Sequence, residues 1–267
     1  MLPASLTLVG AGKMGGAMLA GWLRAGLDPA RTVVIDPSPS PEATALCAEH
    51  GLALNPASSA PADVLVLAVK PQGLAEAAPG LAPLVGPRTL VLSILAGKTI
   101  ADLMARLPTD AVVRAMPNLP ASVGRGATGA VAGAGVTALQ RAQADALLAC
   151  VGLVEWLEAE ALIDALTAVS GSGPAYVFHL VEALAEAGCA AGLPQDMARR
   201  LARATVAGAG ALLDADPREA SQLRRDVTSP GGTTAEALAV LMREDGLTAL
   251  MREAVAAAAR RAGELSG

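Results

Sequence analysis

The chain has 267 residues, 53% of them hydrophobic, and a formal net charge of -5, so it can bury a large core and its length suits two domains. An acidic balance supplies no field for a phosphate backbone, and one Phe, one Tyr and two Trp leave little for bases to stack on. Nucleic acid is thereby excluded as a partner. Cys47, Cys150 and Cys189 are scattered and show no Cys-x-x-Cys spacing, which excludes a disulfide framework and a zinc site and fits a reduced, cytoplasmic setting. No basic n-region precedes the short apolar run that ends at Gly10, and no stretch of about 20 residues lacks charges and helix breakers, so neither a signal peptide nor a membrane span is expected.

In chain order the first half alternates short apolar runs with helical patterns. Strands are predicted at residues 6–9, 32–35, 64–69, 89–94 and 111–113, with helices through Met18 and Trp22 and at 41–50, 73–81 and 100–107. Such alternation predicts a parallel sheet covered on both faces. A strand at 126–132, a helix at 136–150 and a last strand at 153–157 follow. After Glu158 the spacing is helical throughout, in segments 161–169, 174–191, 194–214, 233–243 and 247–265. The expected organisation is an α/β Rossmann-type dinucleotide-binding domain over residues 1–158 and an all-helical domain over 159–267. The small residues of the helical half suit interdigitation with a second copy and packing within one monomer equally well.

Gly10-x-Gly12-x-x-Gly15 lies between the first strand and a helix, the context in which glycines permit a tight turn and pyrophosphate sits on the helix N-terminus. Gly10, Gly12, Met14 and Gly15 are cofactor candidates, with Lys13 facing solvent beside the pyrophosphate. Asp36 closes the second strand about 21 residues later, the spacing at which a carboxylate reads ribose hydroxyls. No basic residue follows through position 48 to neutralise a 2′-phosphate, so charge favours NADH over NADPH. The same Asp before Pro37 also reads as a turn former. Strand ends at Ala68-Val69-Lys70-Pro71, Ala96-Gly97 and Pro117-Asn118 should face the cofactor, because ligands lie outside the carboxyl ends of an open parallel sheet.

Val227-Thr228-Ser229-Pro230-Gly231-Gly232-Thr233-Thr234 interrupts helix and restarts it, exposing N–H groups and hydroxyls at a helix N-terminus, which is anion-binding chemistry. The three lysines are Lys13, Lys70 and Lys98, so the helical half has no lysine acid or Schiff-base lysine, and Val177 stands where a β-hydroxyacid dehydrogenase would carry its Lys. Of the two histidines, His50 is expected at a helix end and His179, in an apolar run, in a core or groove. Hydride addition to a C=N bond needs little proton transfer from the protein and fits this inventory.

With these motifs the chain closely resembles the pyrroline-5-carboxylate reductase family, along residues 9–16, 67–72, 93–97, 114–120, 170–176, 187–194 and 227–234. The resemblance implies reduction of Δ1-pyrroline-5-carboxylate to L-proline with NADPH or NADH, the former common in the family. It implies dimers through interlocked helical domains, often assembled as pentamers of dimers. Ser229, Gly231, Gly232 and Thr233 match the cradle of the substrate carboxylate, Thr234 the threonine that contacts the ring nitrogen, and Asn55 a position touching the adenosine end, although Asn55 before Pro56 reads equally well as a turn. Relatives often carry His-Pro shortly before the cradle, where this chain has Glu219-Ala220-Ser221. A reductase of the six-membered imine acid, and a non-catalytic dinucleotide sensor, are the competing readings.

Overall fold

The computed structural model describes residues 1–266; the final residue of the expected second domain, Gly267, lies outside them. Two compact units emerge from the chain's internal contacts, one of Met1–Gly171 with the chain from Ala259 onward, the other Ser172–Ala258.

The first unit holds β1 (Leu6–Val9), α1 (Lys13–Arg24), β2 (Thr32–Ile35), α2 (Pro41–His50), β3 (Ala53–Leu54), β4 (Val64–Leu67), α3 (Leu74–Leu81), β5 (Leu90–Ser93) and α4 (Ile100–Met104). It continues through β6 (Val112–Met116), β7 (Gly126–Ala132), α5 (Ala138–Ala149), β8 (Gly152–Trp156) and α6 (Leu162–Leu166). The strands form one sheet in the order β3-β2-β1-β4-β5-β6-β7-β8. Strand order reverses between β1 and β4, which places the crevice for a ligand above the turn that follows β1.

Period-two alternation sends side chains to two cores. Leu6, Leu8, Val64, Val66, Leu90 and Leu92 enter a cluster with Met18, Leu19 and Trp22 of α1, while Val9, Leu65, Leu67 and Val91 join Leu74 and Leu81 of α3 and Leu103 of α4. Both faces are thus covered, and the strands read as unbroken apolar runs for that reason. Trp22 is fully buried and donates Nε1–H to the Leu147 carbonyl at 2.8 Å, fastening α1 to α5.

The sheet departs from the parallel expectation at one place. β7 runs antiparallel to β6, while β7 and β8 are parallel to each other. Residues 117–125 contain only the short 3-10 turn Leu119–Val123, too little chain for a parallel crossover, so the strand returns as a hairpin.

The second unit contains α7 (Gly173–Ala190), α8 (Gln195–Ala215), α9 (Ala220–Asp226), α10 (Thr233–Leu241) and the first part of α11 (Leu247–Ser266). α9 was not foreseen. α7 and α8 pack together, with Gly188 letting Ala198 approach closely. Within these two long helices the buried residues are Ala185, Ala198 and Ala202, while Phe178, Leu184, Leu201 and Leu212 are exposed. His179 is exposed as well, 81% by side chain, with Nδ1 3.1 Å from Glu182 Oε2. The core or groove position expected for it is not found within the single chain, because α7 is apolar on more sides than one chain covers.

Candidate active site

Gly10 takes φ +94°, a left-handed conformation, and a Cβ there would stand 2.7 Å from the Ala68 carbonyl carbon. Gly15 is buried, and an added Cβ would overlap the Gly10 carbonyl oxygen and lie 3.1 Å from Ala68 Cβ. The first and third glycines therefore exist for close approach of α1, β1 and β4. Gly12 differs: a Cβ there would meet no atom within 4 Å. Its bare side faces a cavity of about 770 Å³ that Gly10, Asp36, Ala68, Val69 and Lys70 also line. Lys13 is exposed at the start of α1, and Met14 packs against the core beneath the loop. Pro71 opens the 3-10 turn Pro71–Gly73 that leads into α3.

Asp36 is tied into the loop. Its Oδ2 accepts the Ala11 N–H at 2.7 Å and its Oδ1 the Ser38 N–H at 2.9 Å. Asn55 braces the same residue, accepting the Asp36 N–H at 2.8 Å and donating Nδ2–H to the Asp36 carbonyl at 2.7 Å. Asn55 does so at φ 50°, a conformation asparagine tolerates better than most residues.

The ends of β5 and β6 are organised separately from that cavity. Ala96 is exposed, and Gly97 turns at φ +69° with its Cα side against the Leu265 carbonyl. Pro117 is buried. Asn118 is buried too, its Oδ1 accepting the Ala127 N–H and its Nδ2 donating to the Ser170 carbonyl, each at 2.9 Å. Asn118 thereby secures the π turn Thr167–Gly171. Arg114, 4% exposed, pairs with Glu160 at 2.8 Å, and the same Glu160 oxygen accepts the Ile100 N–H at 2.9 Å. This pair ties β6 to α4.

In the helical unit the 229–234 loop closes on itself before α10. Gly231 adopts φ +69°, the Gly232 N–H donates to the Ser229 carbonyl at 3.0 Å, and a Cβ on Gly232 would stand 2.5 Å from Ser229 Oγ. No side chain caps α10, so the first amides, those of Thr233 and Thr234, precede any intrahelical acceptor. Ser229 and Thr233 are exposed and Thr234 is half-buried. Hydroxyls and uncapped amides lie together at this helix N-terminus, an arrangement that suits an anion.

Residues 160–265 match the family model described as pyrroline-5-carboxylate reductase dimerisation, and residues 5–97 match that described as NADP oxidoreductase coenzyme F420-dependent. The pyrroline-5-carboxylate reductase of Pseudomonas aeruginosa is 41% identical over 265 residues, covering 98% of this chain and 96% of the relative. The chain belongs to the pyrroline-5-carboxylate reductase family. Among solved structures, the reductase of this family from Coxiella burnetii superposes with a TM-score of 0.92 at 36% identity and covers 99% of both chains. A Plasmodium falciparum member, solved with NADP bound, gives 0.80 at 25% identity over the full length of both.

The Rossmann-type domain and the helical dimerisation domain are thus family features, and the dimerisation model begins some residues before the compact helical unit does. α6 and the π turn belong to the sheet-bearing unit. In this reductase-family chain, sequence reading missed Ser38, Glu76, Ala77 and Gly80 on the cavity wall. The spacing Gly73, Ala77, Leu81 and Glu76, Gly80, Leu84 was the available signal, since residues four apart share a helix face. Among the described residues no cluster of His, Cys, Asp or Glu could hold a metal, and no helix is long and apolar enough to cross a membrane.

Proposed function

We propose that this chain reduces Δ1-pyrroline-5-carboxylate to L-proline with NADH or NADPH, the last step of proline biosynthesis, in the cytoplasm. The observation that carries the reading is the 229–234 loop, an uncapped helix N-terminus whose glycines are required by its own geometry. Residues 1–158 serve the dinucleotide, and residues 159–267 serve substrate and dimerisation.

Gly10, Gly12 and Gly15 fit a dinucleotide: the first and third hold the turn, and the second leaves its surface bare toward the cavity. Lys13, Met14, Asp36, Asn55, Ala68, Val69, Lys70, Pro71, Ala96, Gly97, Pro117 and Asn118 complete that assignment. When bound, the reduced nicotinamide supplies the hydride. The protein's share is positioning. Ser229 Oγ with the N–H groups of Gly232 and Thr233 holds the carboxylate, the Gly232 N–H being shared with the Ser229 carbonyl that closes the loop, and Gly231 shapes the turn. The helix dipole contributes roughly 0.3–1 kcal/mol. Thr234 Oγ1 contacts the ring nitrogen, adding about 1.5–3 kcal/mol when its partner is charged. Because the imine arrives protonated, reduction at carbon leaves a secondary amine without a protein acid. Orientation accounts for about 7–11 kcal/mol of the barrier.

A homodimer through the helical unit is supported by its long helices, which expose Phe178, Leu184, Leu201 and Leu212 while burying little. The same two helices also border an open groove of about 470 Å³, lined by Val181, Glu182, Ala185, Glu186, Gln195 and Arg199 among others. Five such dimers in one particle are the expected assembly, readable as mass by light scattering. Purified protein given pyrroline-5-carboxylate should oxidise NADH or NADPH, and absence of turnover with both defeats the reading. Faster turnover of the six-membered imine acid would shift it to that substrate.

A further inference from the structure

The cavity beside the glycine loop is lined by three charged side chains, Asp36, Lys70 and Glu76. Asp36 cannot swing aside, because both its oxygens accept backbone N–H groups, from Ala11 and Ser38, and its own backbone is braced on both sides by Asn55. Glu76 comes from a different element, the first turn of α3, and lies in the row Glu76, Gly80, Leu84 that borders the same cavity. The small Gly80 and Ala77 leave room on that wall for a flat base.

We propose that Asp36 and Glu76 act together as the cofactor selector, admitting the free 2′-hydroxyl of NADH and rejecting the 2′-phosphate of NADPH. Glu76 is the new determinant. It rests on the cavity being the dinucleotide site and is independent of which imine is reduced. A fixed carboxylate offers the hydroxyl an acceptor, whereas a phosphate meets two negative charges against the one cation, Lys70. In a half-solvated site, each unit of like charge a few ångströms away weakens binding by roughly tenfold. An alternative role for Glu76, complementing the α3 dipole from the first turn, would alter stability and leave the choice of nucleotide untouched.

Calorimetric titration of the full chain with NADH and with NADPH, without imine substrate, tests the assignment. Wild type should bind NADH at least about tenfold tighter than NADPH, and Glu76→Gln should narrow that ratio about three- to tenfold, chiefly by tightening NADPH. Raising ionic strength should narrow the wild-type ratio too. Asp36→Asn should narrow it further, but it also disturbs the loop, so Glu76→Gln decides. Equal binding of the two cofactors by wild type, or an unchanged ratio in Glu76→Gln, overturns the proposal. Binding of neither overturns it together with the cavity assignment, while an inactive protein that still prefers NADH sinks only the imine reading.

Discussion

Substituting Gly12 and Gly15 separately by alanine should give opposite phenotypes from one added methyl group. At Gly15 the new carbon overlaps the Gly10 carbonyl oxygen and stands 3.1 Å from Ala68 Cβ. Neither neighbour yields easily, since the Gly10 N–H is bonded to the Ile35 carbonyl at 2.8 Å and the Ala68 N–H to the Val9 carbonyl at 2.8 Å. Restoring ordinary carbon contacts takes a shift of roughly 1 Å of α1 away from the sheet. Overpacking of this kind costs about 1–3 kcal/mol, or about 2–12 °C in Tm at roughly 2–4 °C per kcal/mol. Gly12→Ala meets nothing within 4 Å, so its stability should stay within about 0.5 kcal/mol of wild type. Its methyl instead enters the cavity where the dinucleotide approaches, and NADH affinity should fall about 10- to 100-fold. Thermal unfolding followed by circular dichroism, with calorimetric NADH titration, reads both. A Gly12→Ala protein that binds NADH as wild type does, or a Gly15→Ala protein of undiminished Tm, refutes the assignment of the two glycines.

Thr234→Ala should lower kcat/KM roughly 10- to 150-fold without loss of helix, since its side chain does not cap α10, and Thr234→Ser should recover most of it; wild-type kinetics in the alanine variant removes Thr234 from the mechanism. Asp102 sits in a capping box, its Oδ2 accepting the Thr99 N–H at 3.0 Å and the Thr99 hydroxyl at 2.9 Å, and the backbone bond from Thr99 holds its carboxyl below the ordinary value of 3.8. A depressed folded pKa contributes stability that is full above the unfolded value near 3.9 and fades as pH falls through the folded one. Asp102→Asn should therefore lose about 0.3–1.5 kcal/mol at neutral pH and converge on wild type in acid, as urea unfolding at both pH values would show. Thr128 is 2% exposed and its hydroxyl oxygen is buried without a hydrogen-bond partner. Thr128→Val should accordingly stabilise the sheet by roughly 1 kcal/mol; destabilisation in the same urea assay counts against it.

Much of the sheet was legible because its physics is local. β1 and β2 have their apolar runs stopped by Gly10 and by Asp36-Pro37, and α2 is bracketed by Ser40-Pro41 and Gly51, a cap at each end. The reversal at β7 was not legible. Nothing in the composition of Gly126–Ala132 records strand direction, and only the brevity of residues 117–125 decides it. α9 escaped notice because Ala220–Asp226 lacks an apolar stripe; Gln222, Arg225 and Asp226 are joined by side-chain bonds on its surface instead. His179 was misplaced for the opposite reason, since an apolar run signals burial without saying which molecule provides the cover. At the candidate site the glycines and Asp36 were found from spacing. Glu76 was not, because it comes to line one cavity with Asp36 only in the folded chain.

The two tryptophans of the chain, Trp22 and Trp156, both belong to the sheet-bearing unit. Trp22 is sealed beneath α5 and Trp156 is held by Asp145 at 2.8 Å under the Arg141 guanidinium. Residues 172–258 contain none. Indole emission therefore reports on the sheet-bearing unit alone, while far-ultraviolet dichroism sums the helices of both units. A single denaturation followed by both signals can show whether the halves melt as one body or in sequence. Energy transfer from indole to a bound reduced nicotinamide gives the same protein a label-free gauge of cofactor occupancy.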